Sequence, residues 1–426
     1  MGGMTTKRAG FSGRQSPSEE RVSVVDLHVH SRHSRATSRT MTLDGMADSA
    51  RRKGIDAVGT GDFTHPEWIE TLESTLRPDR EGVYRHAQVR FLLTTEIAGI
   101  WKQRGRTHRI HLLVWAPSFK AARRIAGKLG PLGNLSVDGR PIFSASARVL
   151  CEAIWTADEL ATVVPAHVWT PWYSLFGAKS GFDTLEECFG DLSSRIFALE
   201  TGLSSDPAMN RRVSALDRFA LVSFSDAHSP ANLGREATVL ALEELSYATV
   251  VAAIRGREKI RGTIEYFPQE GKYHFDGHRT CGVSLSPEES RGLDNRCPVC
   301  GRVLTIGVMH RVEELADRDA DDEATHQDTF WNLIPLQEIV AYVYGVGKKT
   351  KVVKRTVDRM IDQFGTEFSV LLSQPLNDIE RSFGLTIAEA IGHMRRGNVT
   401  VRPGYDGVFG EIQIPLLEST TRQRRR

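Results

Sequence analysis

A regular alternation of strand-like and helix-like segments runs from residue 21 to about residue 265. Short apolar, β-branched runs occur at residues 22–25, 55–59, 91–95, 110–115, 161–165, 196–199 and 221–225. A helix is predicted at residues 43–53, where Thr42 would cap its start and Gly54 would end it. Asp206-Pro207 is a typical helix start and predicts a second helix at residues 208–219. Such alternation predicts an α/β domain with a mostly parallel sheet.

Histidines and carboxylates recur beside these predicted strands. His28 and His30 lie two residues apart in the segment DLHVH, so strand geometry puts both side chains on the same side. Further candidate ligands lie at or near the ends of later strands: Asp62, Glu96, His111, His167, Asp226 and His228. In a barrel of parallel strands these ends converge on one face. The sequence therefore predicts one shared site, although a single strand-end histidine is more often a hydrogen-bonding partner than a ligand.

The mixture of imidazole and carboxylate groups indicates the chemistry of this site. Both groups suit zinc, manganese or iron, and a carboxylate can bridge two cations. Two or three closely spaced cations can activate water and stabilise the leaving oxygen of a displacement at phosphorus. We therefore predict a metal-dependent phosphoesterase. Four other histidines are predicted to lie at the surface or behind the ligands: His33, His65, His86 and His108.

Residues 266–310 predict a small module organised by a metal. The module contains an H-x2-C pair and, fifteen residues later, a C-x2-C pair, formed by His278, Cys281, Cys297 and Cys300. Two such pairs are typical of a closed tetrahedral zinc site, and four protein ligands leave no open position for chemistry. His274 is an alternative to His278. A redox role for the C-x2-C pair is a second alternative, but no thioredoxin-like context surrounds it.

Residues 311–415 predict a helical C-terminal domain, followed by a basic tail at residues 416–426. A Gly-Val-Gly turn followed by Lys348 and Lys349 resembles a helix-hairpin-helix turn, which presents backbone N–H groups and lysines to DNA phosphate. The alternative is a glycine-rich turn between two helices with solvated lysines. Residues 337–344 loosely match a clamp-binding peptide, so a sliding clamp is a candidate partner. We expect this segment to form helix core.

An aromatic loop follows His167. In the segment HVWTPWYSLFGAKSGF, the residues predicted to bind substrate are Trp169, Trp172, Tyr173, Phe176 and Lys179. Exposed aromatic rings can stack on a nucleobase lifted from its duplex, and a lysine can contact phosphate. The alternative is a loop that folds onto its own small core.

The composition limits the classes of protein to which this chain could belong. The formal net charge is +2, so any basic surface for nucleic acid must be local. The five cysteines are odd in number and the N-terminus is polar, which favours a reducing cytoplasm over a disulfide framework. No run approaches the roughly 18 apolar residues that cross a bilayer, so no membrane partner is expected. Residues 1–20 are expected to be a disordered tail.

The order DLHVHS, TGD, a glutamate, single histidines and SDAH resembles the polymerase and histidinol phosphatase (PHP) family. The resemblance implies a distorted (βα)7 barrel, here followed by the zinc module and the helical domain. It implies one cation held by four catalytic residues, His28, His30, Glu96 and Asp226. A second cation would be held by Glu96, His111 and His167, and a third by Asp62 and His228. These cations would be zinc, manganese or magnesium. Many members have Asp-His where this chain has Asp62-Phe63, and a histidine expected near residues 34–37 is absent. The resemblance leaves open two cations or three.

A narrower resemblance, to the endonuclease Q family, runs over residues 24–412. It is carried by GTGDFTHPEW, the aromatic loop, the zinc segment, TIGVMHRVEELADR and GYDGVFG. It implies a DNA-repair endonuclease acting on double- or single-stranded lesion DNA. Metal-assisted attack of water would cut the phosphodiester 5′ to uracil, hypoxanthine, xanthine or an abasic site, leaving a 3′-hydroxyl and a 5′-phosphate. Two alternatives are a small-molecule phosphatase, which would need neither the zinc module nor the helical domain, and a non-catalytic DNA-binding accessory protein.

Overall fold

The computed structural model describes residues 21–320, 322 and 328–416. The tail predicted at residues 1–20 and all but the first residue of the tail predicted at 416–426 lie outside the described residues. The strands are β1 (Arg21–Asp26), β2 (Ala57–Gly59), β3 (Arg77–Arg80), β4 (Val83–His86), β5 (Val89–Gln103), β6 (Arg106–Ala116), β7 (Ile142–Phe143), β8 (Thr162–Pro165), β9 (Ala198–Glu200), β10 (Ala220–Val222), β11 (Ala237–Leu242), β12 (Ile260–Glu265), β13 (Asp276–His278), β14 (Val283–Leu285), β15 (Phe330–Asn332), β16 (Thr400–Arg402) and β17 (Glu411–Gln413).

The helices surround the barrel strands and then make up most of the C-terminal region. They are α1 (Leu43–Lys53), α2 (Pro66–Thr75), α3 (Phe119–Leu129), α4 (Ala147–Ala157), α5 (Leu185–Phe189), α6 (Pro207–Asn210), α7 (Tyr247–Gly256), α8 (Pro287–Arg291), α9 (Val308–Leu315), α10 (Leu336–Tyr344), α11 (Lys351–Phe364), α12 (Leu376–Phe383) and α13 (Leu385–Arg395). Among the described residues, no helix has both the length and the apolarity needed to span a bilayer.

Seven strands form the distorted barrel that the sequence predicted. Strands β1, β2 and β5 pair in parallel, β6 pairs antiparallel with β5, and β8 pairs antiparallel with β6. The parallel pair β9 and β10 continues the ring, because Val168 N donates to Glu200 O beside β8 and Val29 pairs with Ala227 beside β1. The sheet is mixed rather than mostly parallel. Arg104 and Gly105 join β5 to β6 in a tight turn with φ values of 48° and 78°, and a hairpin makes its strands antiparallel.

Local sequence signals set the ends of some helices, whereas tertiary contacts set the ends of others. Helix α1 has the predicted bounds, since the Thr42 side chain accepts from Gly45 N and Gly54 closes the helix at a φ of 90°. The prediction of one helix over residues 208–219 is wrong, because α6 ends at Asn210. The buried Arg211 guanidinium beyond it donates to the carbonyl groups of Leu216 and Phe219, which a continued helix would occupy.

The C-terminal helices share one hydrophobic core with the barrel. The same cluster of buried side chains runs from Val24 in β1 to Met394 in α13. Residues 337–344 lie in α10, which buries Ile339 and Val340, as expected for helix core and unlike an exposed clamp-binding peptide. The domain boundaries predicted near residues 265 and 310 stay predictions.

Candidate metal centre

One group of donor atoms surrounds a single point inside the barrel. His28 and His30 follow β1, Glu96 lies in β5, and Asp226 follows β10. The Nε2 atom of His28 lies 3.5 Å from an oxygen of Glu96 and 3.5 Å from Asp226 Oδ1. The Nε2 atom of His30 lies 3.3 Å from Glu96 Oε2 and 3.1 Å from Asp226 Oδ1. The predicted catalytic residues therefore come together.

Three atoms of this group are buried without a hydrogen-bond partner among the described residues. They are Nε2 of His28, Nε2 of His30 and Oδ1 of Asp226. Buried polar atoms normally have partners, because leaving one unpaired costs about 1–3 kcal/mol. A cation at their common centre would satisfy all three atoms at once. Imidazole nitrogens and carboxylate oxygens are also the correct donors for zinc or manganese, so the residues fit a divalent cation.

A second group shares Glu96 with the first. His111 Nδ1 lies 2.6 Å from Glu96 Oε1, and His167 Nε2 lies 3.2 Å from the same oxygen and 3.2 Å from His111 Nδ1. The other oxygen of Glu96 faces His30. A carboxylate placed in this way could bridge two cations. Glu96 and His111 lie within β5 and β6 rather than at strand ends as predicted, because both strands continue past the site to the hairpin.

The backbone is strained at three of the residues that form the site. Asp62, His167 and Asp226 adopt left-handed φ values of 51°, 30° and 46°. Non-glycine residues in this region cost free energy and occur preferentially at functional sites. Gly202 lies against this turn, and a Cβ atom there would come within 2.4 Å of the His167 Cβ. The fold thus tolerates strain and close packing in order to place His167.

The structure does not bring Asp62 together with His228, as the predicted third cation would require. Both Asp62 oxygens are engaged within the barrel wall, where Oδ1 lies 3.2 Å from His30 Nδ1 and Oδ2 accepts from Ser31 and Ser34. Ser34 lies where a third-site histidine was expected, and its hydroxyl is 3.1 Å from His30 Nδ1. Asp62 therefore orients His30 from behind.

His228 lies at the open side of the first group. Its ring centroid is 4.4 Å from that of His30, and its Nδ1 is 2.9 Å from the Asp226 carbonyl oxygen. Nδ1 therefore donates to that carbonyl, which leaves Nε2 as the nitrogen that could bind a cation. His30, Asp226 and His228 form a third set of neighbouring donors, separate from Asp62.

Sequence reasoning missed Glu200, the buried carboxylate behind His28. Its oxygens lie 2.8 and 3.0 Å from His28 Nδ1, and Oε2 also accepts from His167 N at 2.7 Å. It therefore holds one residue of each ligand group. Glu200 ends strand β9 in the segment FALET, so its position at a strand end was the available signal.

The electrostatics of the site favour carboxylates that stay ionised. Burial would lower the pKa of His28, but Glu200 and its neighbouring carboxylates raise it well above the usual value. Burial would raise the pKa of Glu96, but His111, which is protonated only at the low pH where Glu96 titrates, and Arg140 hold it well below its usual value. Burial lowers the pKa of His111 to about 4, so this imidazole is neutral and able to bind a metal. A bound cation would displace the protons that these raised pKa values place on His28 and His30.

The module at residues 266–310 places the four predicted zinc ligands around one point. The ligand atoms of His278, Cys281, Cys297 and Cys300 all lie within 4.8 Å of one another. The alternative His274 lies outside this cluster. Left-handed Gly282 and Gly301, at φ values of 66° and 72°, follow the outer cysteines and allow the tight turns around the sulfur atoms.

The aromatic loop is divided between core and surface. Trp169 and Phe176, predicted to bind substrate, are only 1% and 2% exposed and pack on each other. Trp169 Nε1 also donates to the buried Asn210 side chain at 2.8 Å. These two rings are unavailable for stacking, because the loop folds around them. Trp172 is 37% exposed, and the ring of the half-buried Tyr173 packs at a tilt against that of His111, with 4.6 Å between the centroids.

The predicted basic contacts lie at the surface. Lys179 and Lys349 are exposed, whereas the Lys348 ammonium pairs with Glu338 at 2.7 Å. Helix α10 ends at Gly345 with a φ of 55°, and α11 begins at Lys351, so the predicted turn does join two helices. The weaker histidines stay out of the ligand groups: His33 packs on His65, His86 pairs with Asp44, and His108 stacks on Phe182.

A distorted seven-stranded barrel with histidines and carboxylates gathered inside it defines a protein of the PHP class. Solved structures identify the family. The lesion-specific endonuclease PfuEndoQ from Pyrococcus furiosus is 32% identical, with 93% of this chain and 96% of that chain covered at a TM-score of 0.84. Endonuclease Q in complex with a 27-mer duplex carrying an abasic lesion matches at 32% identity and a TM-score of 0.83, over 94% of this chain and 99% of that one. The chain belongs to the endonuclease Q family.

Two further comparisons agree with this assignment. The Bacillus subtilis protein YqxK is 29% identical over 408 residues, which are 91% of this chain and 98% of YqxK. A family profile described as the MJ0043 C-terminal domain matches residues 335–398, which span α10 to α13.

Proposed function

We propose that this protein is a DNA-repair endonuclease that hydrolyses the phosphodiester 5′ to a deaminated base or an abasic site. The bases would be uracil, hypoxanthine and xanthine, and the products would carry a 3′-hydroxyl and a 5′-phosphate. The observation that carries the proposal is the full-length similarity to endonuclease Q bound to a duplex with an abasic lesion at its active site. The convergence of unpartnered donor atoms inside the barrel supports a hydrolytic metal site.

The residues of the two ligand groups would divide the work. His28, His30 and Asp226 would hold one divalent cation, and His111 and His167 would hold a second, with Glu96 between them. His228 and Asp226 offer donors to a further cation at the open side. Zinc, manganese or magnesium ions bound there would supply Lewis acidity toward water and the phosphoryl oxygens. Asp62 and Glu200 would keep His30 and His28 in the tautomer that presents Nε2.

The exposed groups around the site would hold the DNA. Tyr173 lies beside His111, and the neighbouring Trp172 is exposed with its ring edge-on to Tyr273, so a lifted base or its neighbour could stack on this part of the loop. Lys179 and the turn at Lys349 offer phosphate contacts, and Lys348 would contribute less because Glu338 already pairs with it. The closed Cys-His site would bind zinc for stability rather than chemistry.

Strand-specific nicking assays test this proposal. The purified protein is incubated with Mg²⁺, Mn²⁺ or Zn²⁺ and with labelled duplexes that carry one uracil, hypoxanthine, xanthine or abasic site, beside undamaged DNA and a phosphate monoester. We expect nicks only in lesion strands, with a product that a 3′-hydroxyl-dependent polymerase can extend. Cleavage of the monoester alone would indicate a small-molecule phosphatase, and binding without cleavage would indicate an accessory protein.

Two matched variants separate chemistry from folding. His28→Ala should abolish nicking while leaving the zinc of the Cys-His site in place, because the two sites share no ligand. His86→Ala removes a histidine whose partner is the surface residue Asp44, and its nicking rate should match that of the wild type.

A further inference from the structure

Arg140 is a cationic side chain inside the ligand groups that neither the sequence analysis nor the proposed ligand set uses. Its Nη1 donates to Glu96 Oε2 at 3.1 Å, on the carboxylate shared by both groups. The side chain is 26% exposed, whereas Glu96 is fully buried. Among the described residues, Glu96 is the one group to which the Arg140 guanidinium donates a hydrogen bond. The guanidinium therefore has further N–H donors and access to solvent at the mouth of the site.

A tightly docked loop puts the guanidinium there. Asp138 accepts from the backbone N–H groups of Arg35 and Arg140, both at 3.2 Å. Gly139 N donates to His33 O, and a Cβ atom at Gly139 would lie 2.3 Å from Asp62 Oδ2. The loop therefore passes against the wall behind His30 with no room for a side chain. This packing presents Arg140 at a defined position rather than as a free surface arginine.

Other cations near the site are placed differently. The Arg235 guanidinium donates to the carbonyl oxygens of Ser225 and Asp226, so it secures the backbone of that loop. Lys179 is exposed on the aromatic loop. Arg140 is thus the basic side chain best placed to contact a ligand that lies between the two ligand groups and solvent.

The charges around Arg140 indicate the chemical class of this ligand. Once divalent cations occupy the two groups, the single negative charge of Glu96 is shared between them and the guanidinium, so a further anion beside Arg140 would reduce the repulsion among these positive charges. Arginine binds phosphate through parallel N–H donors in a fixed plane. Resting on the proposed phosphoesterase function, we propose that Arg140 binds a non-bridging oxygen of the phosphate group held at the metal centre. The same contact would take the phosphodiester of a DNA substrate or free inorganic phosphate.

The test uses the metal-loaded full chain and the variants Arg140→Met, Arg140→Lys and Arg123→Met. The last removes the same charge from helix α3, where Arg123 pairs with Glu73 on the outside of the barrel. Calorimetry measures binding of inorganic phosphate, mass spectrometry measures metal content, and single-turnover assays measure nicking of a lesion duplex. Arg140→Met should weaken phosphate binding by roughly 10- to 100-fold with metal content unchanged. Arg140→Lys should lose less, and Arg123→Met nothing.

The outcomes are distinguishable. Unchanged phosphate affinity in Arg140→Met, or no phosphate binding by the wild type, would overturn the proposal. A loss of metal that parallels the loss of phosphate would also overturn it, because Arg140 would then only position Glu96. If phosphate binding falls as expected but the wild type nicks no lesion duplex, the Arg140 contact stands and the proposed endonuclease function fails. If the duplex is nicked, Arg140→Met should slow that step by roughly 100- to 1,000-fold.

Discussion

Replacing Glu200 by glutamine tests whether the metal centre depends on a residue that would bind no metal itself. Glu200 accepts from His28 Nδ1 with both oxygens, at 2.8 and 3.0 Å, and from His167 N at 2.7 Å. Glutamine has the same shape but only one oxygen. Its amide NH₂ group must face either His167 N–H, a clash of donors, or His28 Nδ1. In the second case the NH₂ group favours an accepting Nδ1 and a proton on Nε2, so His28 binds a cation less tightly.

The size of the effect follows from this partial loss. Variants of carboxylates that orient a metal-binding histidine typically weaken metal binding 10- to 100-fold, which corresponds to about 1.4–2.7 kcal/mol. We expect Glu200→Gln to fall in this range. Glu200→Ala should fall at its upper end, because it leaves both buried N–H donors without a partner.

Binding of Mn²⁺ measures the effect without interference from the Cys-His site, since thiolate ligands select zinc over manganese. Metal-free protein with zinc restored to the Cys-His site is titrated with Mn²⁺, and free Mn²⁺ is counted by electron paramagnetic resonance. Glu186→Gln is the control, because Glu186 is 57% exposed and pairs with Arg218 at the surface. An affinity for Mn²⁺ within twofold of the wild type in Glu200→Gln would refute the orienting role of Glu200.

Four further variants probe the Cys-His module, the buried acid Glu236 and the aromatic loop. Cys297→Ser should release one zinc per chain, measured by elemental analysis, while the Mn²⁺ titration shows that the barrel still binds Mn²⁺. Zinc retained by this variant would contradict the ligand assignment. Burial, followed by the charge of Glu265, raises the pKa of Glu236 well above its usual 4.5. The stability that Glu236 contributes is therefore present below pH 4.5 and is lost as the pH rises toward the pKa of Glu236 in the folded protein. Glu236→Gln should therefore raise Tm at pH 8 by about 2–4 °C with little change at pH 4, and an equal shift at both values would exclude this cause. Trp169→Ala should lower the free energy of unfolding by about 3–5 kcal/mol in chemical denaturation, because its ring is buried. Trp172→Ala should change the free energy of unfolding by less than about 0.5 kcal/mol and weaken binding of a lesion duplex. The opposite pattern would reverse the assignment of core and surface in this loop.

The sequence determined those features whose signals are local. Helix α1 has its predicted bounds because a threonine cap and a left-handed glycine act within one helical turn. The H-x2-C and C-x2-C pairs carry their ligand spacing in the chain itself, and the structure brings these four ligands together. The ligand types at the barrel were also readable, because histidines and carboxylates recur with the predicted strands.

Tertiary structure decided how those ligands are used. The hairpin between β5 and β6 turned an expected parallel neighbour into an antiparallel one and placed Glu96 and His111 within strands. Contacts across the fold made Asp62 and Glu200 supports for histidines, the latter over a separation of 172 residues. The buried Asn210 side chain drew Trp169 into the core. A cap or a turn depends on atoms a few residues away, whereas the partner of a buried carboxylate or ring depends on which distant segments the whole barrel packs against it.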